Sequence, residues 1–510
     1  MRPSHSIPRP ALPDRTPRLP ERVHLLGAGG AGVSGAALLL QAAGHRVSAS
    51  DRAASEHTRM LARAGIPVTV GADEARLPDD VGLLVRSAAV PEADSRVREA
   101  RERGVPVLKY SELLGRITPA GRTLAVAGTH GKTTTSWMLH HALRGLLEAS
   151  VADVSGRMRR PDAPLPGALP APGALVGGVC RELGVNAVAS APGGWFAVEA
   201  CEYDRSFLQL APAGAAITNV EADHLDYFGD LDTIKGAFAR FADRVRPDGL
   251  IVVGPDVSRR VEDGARCPVW RLGRELRVQL SHERAGCFGF RLHGPGFALE
   301  DVRLAVPGRF NVDNAALALA LVAGLAAREW CLDPDDALRA AARGLERFRG
   351  SQRRFEPWGE VGGVSVVHDY AHHPTEVRVT LEAARRALPG RPLHVLFQPH
   401  QYSRTARFLR EFAESLRFAD RVVVAEVYGA RQHIDGETSA GAEELVEALR
   451  ALDVDAHTGG PLETAILRFV EGLPAPSAAL VLGAGDVGGI RDELLGELAL
   501  SRALESGTGA

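Results

Sequence analysis

Residues 125–139, AVAGTHGKTTTSWML, run from a short apolar stretch through two glycines flanking a histidine into a lysine and three threonines. A glycine-flanked loop between a buried strand and a helix aims backbone N–H groups and the positive helix end at one spot, which suits a phosphate. Lys132 adds a full positive charge there, and Thr133 a hydroxyl of the kind that holds magnesium. Gly128, Thr129, His130, Gly131 and Thr134 complete the loop. The common P-loop pattern has a further glycine where this chain has Val126, so the string alone also fits an ordinary strand-to-helix turn. The flanking TLAVA and TSWMLHHALRGLL supply the strand and helix that a nucleotide loop needs, and nucleotide binding is the expectation.

Triphosphate chemistry also needs carboxylates to hold its cation. In FAVEACEYDRSFL, Glu199 directly follows Phe196, Ala197 and Val198, at the strand end that faces the ligand crevice of a parallel sheet. Glu202 and Asp204 follow, and Glu202 reads better as a solvated loop acid. AITNVEADHLDYFG repeats the arrangement, with His224 between Asp223 and Asp226 as either a metal ligand or a structural histidine. VVHDYAHHPTEV offers His368, His372 and His373 beside Asp369 and Tyr370. Zinc is conceivable there, but no HExxH pattern is present and Pro374 starts the next helix, so a polar, substrate-facing loop is expected. FQPHQYSRTARF brings His400, Arg404 and Arg407; an arginine so placed suits a bidentate carboxylate clamp, while Arg407 also fits a solvated helix face.

A second phosphate signal lies near the start. GAGGAG (Gly27, Gly29, Gly30, Gly32) follows a strand, and Asp51 ends the next one at about the distance of a ribose-binding acid. Alone this says dinucleotide site and an NAD-linked oxidoreductase. Two phosphate sites on successive α/β domains point instead to a nucleotide-linked substrate and a separate nucleoside triphosphate, as cofactor ATP with Mg2+. A non-catalytic nucleotide-binding regulator is a third possibility. The late LGAGDVGG, with little chain after it, is expected to be a packing turn.

These residues need scaffolds. The 510 residues exceed one core and suggest about three domains. Short β-rich runs alternate with helical patterns from Arg22, again from TLAVAG, and a third time from VSVVHDY, which predicts an α/β protein. The boundaries expected are a disordered tail over 1–20, then domains over 21–117, 118–350 and 351–510. A strand-rich patch over about 265–306 predicts a small antiparallel annex, and Pro/Ala/Gly-rich 148–174 an inserted loop. A net charge of -3 gives no footprint for nucleic acid or an anionic membrane. Five scattered cysteines without metal spacing fit neither a disulfide framework nor a zinc module, and agree with a cytoplasmic protein.

Together, GAGGAGVSG, AVAGTHGKTTT, EACEYDRSFL, TNVEADHLDYFG, VPGRFNVDNAALA, DYAHHPTE, FQPHQYSRT and GAGD, in this order from Arg22 to about Leu498, resemble the Mur ligase family. The resemblance implies a Rossmann-like N-terminal domain for a UDP-sugar, a central P-loop ATPase and a C-terminal Rossmann-like domain. It implies ATP-driven amide formation between L-alanine and UDP-N-acetylmuramate, in a monomer or homodimer. By that resemblance Lys132 contacts the β and γ phosphates, Thr133 and Glu199 hold one magnesium, and His224 helps hold a second. Asn311, Asn314, Arg354 and Asp369 would serve the nucleotide, Tyr370, His372 and Arg404 the alanine, and the N-terminal glycines with Asp51 and Ser87 the UDP-sugar. Phe310, Cys201, His368 and Gln401 depart from the family pattern, and Gln401 leaves Arg404 to clamp a carboxylate more alone. A related family ligase that reattaches a recycled tripeptide is the nearest rival, against which FQPHQYSRT speaks.

Overall fold

The computed structural model describes residues 19–71, 76–154, 169–326, 334–429 and 441–507. The tail and most of the insertion anticipated above lie outside them. The chain forms two compact units, one ending at Thr118 and one starting at Pro119.

In the first unit, Arg22–Leu26 (β1), Arg46–Asp51 (β2), Val68–Val70 (β3), Leu83–Arg86 (β4) and Val107–Lys109 (β5) form a sheet ordered β3-β2-β1-β4-β5. Every pairing is parallel. Apolar runs such as LLVR are buried on both faces, as expected when helices cover each side of a parallel sheet.

The second unit contains three sheets. Thr123–Ala127 (β6), Gly173–Leu175 (β7), Ala187–Val188 (β8), Phe196–Glu199 (β9), Gly214–Ile217 (β10), Leu250–Val253 (β11) and Val269–Arg271 (β12) are ordered β12-β11-β10-β6-β9-β7-β8. Only β7 and β8 pair antiparallel. Arg277–Arg284 (β13), Cys287–Gly294 (β14) and Phe297–Arg303 (β15) form the antiparallel annex. The start of the strand-rich patch over 265–306 belongs elsewhere than expected: Val269–Arg271 is the parallel edge strand of the large sheet, because it pairs with β11. The last sheet, ordered β16-β17-β21-β18-β19-β20, consists of Glu356–Val361 (β16), Val364–Asp369 (β17), Leu393–Phe397 (β18), Arg421–Ala425 (β19), Asp455–Gly460 (β20) and Ser477–Leu482 (β21). Here only β16 runs antiparallel to its neighbour.

Two helices fix the central site. Lys132–Val154 starts straight from the loop after β6 and buries Trp137, Leu139, Leu143 and Leu146. Phe310–Gly324 packs against it and is apolar nearly all round, as its alanine and leucine content requires of a fully enclosed helix. Strand β6 lies between β9 and β10, so the loop after it opens where the chain order switches sides, the place where open α/β sheets bind ligands. After β21 the turn packs closely: a Cβ on Gly485 would lie 2.4 Å from Gln398 Oε1. Gln398 donates from Nε2 to Asp486 and accepts the Val487 N–H at 3.1 Å, tying that turn to the end of β18.

Candidate active site

The loop after β6 turns on two glycines that no other residue could replace without strain. Gly128 has φ +141 and Gly131 φ +80. A Cβ on Gly128 would lie 2.0 Å from Thr218 Oγ1, and one on Gly131 2.7 Å from Asn314 Oδ1. His130 is pinned between them: its N–H donates to Asn219 Oδ1 at 2.8 Å, and its carbonyl accepts from Thr218 and Asn219.

Lys132 donates to the carbonyls of Gly128 and Thr129 at 2.5 and 2.9 Å, and its ammonium lies 3.0 Å from Glu202 Oε2. Burial opposes the charge, but Glu202, with Cys201 and Glu199, more than compensates and holds the ammonium up to about 12. Glu202 is 3% exposed, so the expectation of a solvated acid is corrected: the chain turns it inward to balance Lys132. Both of its oxygens face the ammonium, Oε1 accepting from it at 3.1 Å. Glu199, at the end of β9, accepts the Thr133 hydroxyl at 3.0 Å and the Gly177 N–H at 2.7 Å. His224 sits in left-handed backbone at φ +49, with Nε2 4.0 Å from both Glu202 and Asp223. Burial lowers its pKa and favours the neutral ring. Lys132 and His224 thus meet at Glu202, while Thr133, next to Lys132 in the chain, pairs with Glu199. The Thr133 hydroxyl and the Glu199 carboxylate at the strand end are hard-oxygen donors of the kind Mg2+ takes.

The third sheet closes over this loop through Glu376. Its Oε1 lies 3.2 Å from His130 Nδ1 and accepts from Arg354 at 3.3 Å, while Oε2 accepts the His372 N–H at 3.1 Å. Burial works against its carboxylate, but His372 and His130 hold it ionised well below the usual range. Burial likewise opposes charge on His130, and Glu376 and Glu221 reverse that, raising its pKa to about 9. Asp369, at the end of β17, accepts the Phe355 and Ala371 N–H groups at 2.7 and 2.8 Å, and burial pushes it up to about 6. Arg354 lies over the Tyr370 ring at 5.4 Å.

A cavity of about 530 Å³ runs between these parts, lined by His130, Gly131, Asn311, Asn314, Arg354 and Asp369 among others, a size that suits a nucleotide. Asn311 donates to Pro307 O at 2.6 Å and accepts from Asn314 at 3.0 Å. Arg404, from the helix Tyr402–Arg407 after β18, donates to Asp223 at 2.7 Å. Both border a second cavity of about 310 Å³ that Gln401 also lines. Arg407 is exposed, which suits the solvated reading. His368 stands apart, bonded to Val481 O at 2.9 Å and tilted over Trp358.

Within the first unit, the glycines collect after β1. Asp51 accepts the Gly29 N–H at 2.7 Å. Gly27 lies against Ser87, and Gly32 against the Tyr110 ring, each closer than a Cβ permits. The helix Ala31–Ala42 follows this loop directly, with Gly30 at its N-cap making no side-chain cap hydrogen bond.

Sequence reasoning gave Glu221 and Glu376 no role and named Asp223 only as a neighbour of His224, although each stands inside a motif already singled out; Glu376, in the first turn of the helix Pro374–Ala387, reaches back to the His372 N–H just before it.

Parallel α/β sheets with a glycine loop, a buried lysine and strand-end carboxylates define a protein built to handle a polyphosphate. The chain belongs to the Mur ligase family: residues 22–122 match the family's catalytic domain, 183–322 its middle domain and 353–485 its glutamate ligase domain. It is 38% identical to a UDP-N-acetylmuramate--L-alanine ligase of Rubrobacter xylanophilus, over 94% of this chain and 100% of that one. It is 39% identical to the protein of the same name from Kineococcus radiotolerans, over 94% and 96%. Its fold is similar to the crystal structure of the UDP-N-acetylmuramate-alanine ligase MurC from Thermotoga maritima (TM-score 0.72, 24% identity, 95% and 99% covered). It also resembles that of a murein peptide ligase from Psychrobacter arcticus (TM-score 0.65, 23% identity, 94% and 99% covered).

Proposed function

We infer that this chain ligates L-alanine to UDP-N-acetylmuramate at the expense of ATP, a step of peptidoglycan precursor synthesis. The observation that carries the chemistry is the set of contacts beside the β6 loop, Lys132 and His224 on Glu202 and Thr133 on Glu199. The substrates follow from the relatives, matched over nearly their whole length. The same matches favour neither the tripeptide ligase nor the NAD-linked oxidoreductase.

A carboxylate does not acylate an amine unaided. The muramyl carboxylate oxygen attacks the γ phosphorus, the bond to the β-bridging oxygen breaks, and ADP leaves an acyl phosphate. The alanine nitrogen then attacks the acyl carbon, phosphate departs, and the amine loses its proton. Both substrates of the first step are anions, so the protein's task is to offset their repulsion. Lys132 and the loop's N–H groups address the phosphates, and Asn311, Asn314, Arg354 and Asp369 line the cavity for the nucleoside. Mg2+ held by Thr133 and Glu199, with His224 toward a second ion, would neutralise phosphate charge. Arg404, fixed by Asp223, receives the alanine carboxylate, with Tyr370 and His372 nearby. The first unit's glycine loop, with Gly30 at the helix start, Asp51 and Ser87, takes the UDP-sugar. These soluble, energised substrates place the reaction in the cytoplasm. Among the described residues no helix is long and apolar enough to cross a membrane.

The test is phosphate release from ATP with UDP-N-acetylmuramate and, separately, L-alanine, L-serine and glycine. Release that requires both the sugar acid and L-alanine is expected. Turnover indifferent to the amino acid would reject the ligase reading.

A further inference from the structure

Away from the nucleotide crevice, three side chains meet where the long central helix passes the segment leading to the last sheet. A ring nitrogen of His141, the Cys180 thiol and a Glu182 carboxylate oxygen all lie within 4.8 Å of one another. We propose that His141, Cys180 and Glu182 form a binding site for one zinc-class divalent cation, distinct from the magnesium positions of the ligase reaction.

The donor set and its orientation favour coordination over accidental proximity. The donors are an imidazole, a thiol and a carboxylate, a mixed set that zinc accepts in tetrahedral sites and magnesium does not seek. Each is also oriented from behind, as metal ligands are. His141 Nδ1 is 2.9 Å from Trp137 O, a carbonyl, so it carries the proton and leaves the Nε2 lone pair for a metal. Glu182 Oε1 accepts the Arg349 N–H, while Oε2 faces the Cys180 sulfur at 3.0 Å. Cys180 is held by its N–H to Val185 O and by a bridge to Ser351.

The charge balance and the access also fit. Binding displaces the Cys180 thiol proton to solvent, and a dication with one thiolate and one carboxylate is then neutral overall. His141 and Cys180 are buried and Glu182 is exposed, so an ion can enter from the Glu182 side. Once filled, the site would join the helix Lys132–Val154, the turn at Cys180 and the segment at Arg349 and Ser351.

The experiment uses the full chain stripped with a chelator, then titrated with ZnCl2 or CoCl2 alone in excess Mg2+, with no nucleotide or substrate. One zinc per chain is expected after gel filtration, and the cobalt form should show an intense thiolate-to-metal charge-transfer band. Cys180→Ser should abolish that band, and Glu182→Gln, at an exposed position where folding is not at risk, should weaken binding by at least about 10-fold. Cys267→Ser should change neither. Substoichiometric zinc, a cobalt form without the band, or a band that survives Cys180→Ser would overturn the site. Failure here leaves the ligase reading untouched, because no turnover is measured.

Discussion

Arg404 donates to Asp223 at 2.7 Å between two parts of the second unit, with the side chains only 6% and 8% exposed. The arginine expected to clamp a carboxylate is therefore already aimed by one. A hydrogen bond to a charged group contributes about 1.5–3 kcal/mol. Asp223→Asn keeps the shape and loses the charge, and it should raise the KM for L-alanine on the order of 10-fold or more while changing the KM for ATP little. Initial rates at varied alanine decide this; equal shifts in both constants would mean that Asp223 serves the fold alone.

Lys132 and Glu202 make a sharper test, because each is buried against the other. Lys132→Met should cut kcat by about 100- to 1,000-fold, the cost of losing one charge-stabilising donor. It should also destabilise the second unit by about 3–5 kcal/mol, by leaving Glu202 uncompensated. Adding Glu202→Gln should recover about 0.5–3 kcal/mol of stability and none of the activity. Denaturant unfolding of the two single variants and the double variant, followed by tryptophan fluorescence, measures the coupling.

The contrast between Glu199 and Glu202 shows what a sequence can tell. Glu199 continues an apolar run, so strand periodicity places it at a crevice. Glu202 lies three residues on, and only the turn that carries it back to Lys132 reveals that it is buried. The parallel sheets were legible for the same local reason: runs such as LIVV and LHVLF are too apolar for anything but two covered faces. Partners such as Asp223 with Arg404 or His130 with Glu376 stand far apart in the chain, and only packing of one sheet on another creates them. Val269–Arg271 was misassigned because three residues carry no sign of their strand's direction.

His130 predicts how stability varies with pH. Its pKa rises from 6.5 to about 9 in the folded chain, so the folded state binds the proton more tightly than the unfolded one. The resulting stabilisation, on the order of 3 kcal/mol, is complete below about pH 6.5 and is lost as pH climbs through about 9. Unfolding free energy should decline across that window, and His130→Gln should flatten the decline. Trp137, Trp195, Trp270 and Trp358, all in the second unit, report the transition. A slope unchanged in His130→Gln would assign the titration to another group.

Gly128 carries the most local prediction. At φ +141 an alanine is strained by about 1–3 kcal/mol, and its Cβ would also meet Thr218 Oγ1 at 2.0 Å and Asn219 O at 3.1 Å. The first contact could be relieved by trimming Thr218, but the second is backbone and cannot be. Gly128→Ala should therefore weaken ATP binding on the order of 100-fold, and Thr218→Ala should not rescue it. Gly236, in the helix Leu231–Asp243, has nothing within 4 Å of an added Cβ. Gly236→Ala should raise stability by about 0.5–1 kcal/mol and leave ATP affinity unchanged. Calorimetric titration of the three variants with ATP separates a position that must be glycine from one that merely is. Full affinity in Gly128→Ala would mean that the phosphate approaches from elsewhere.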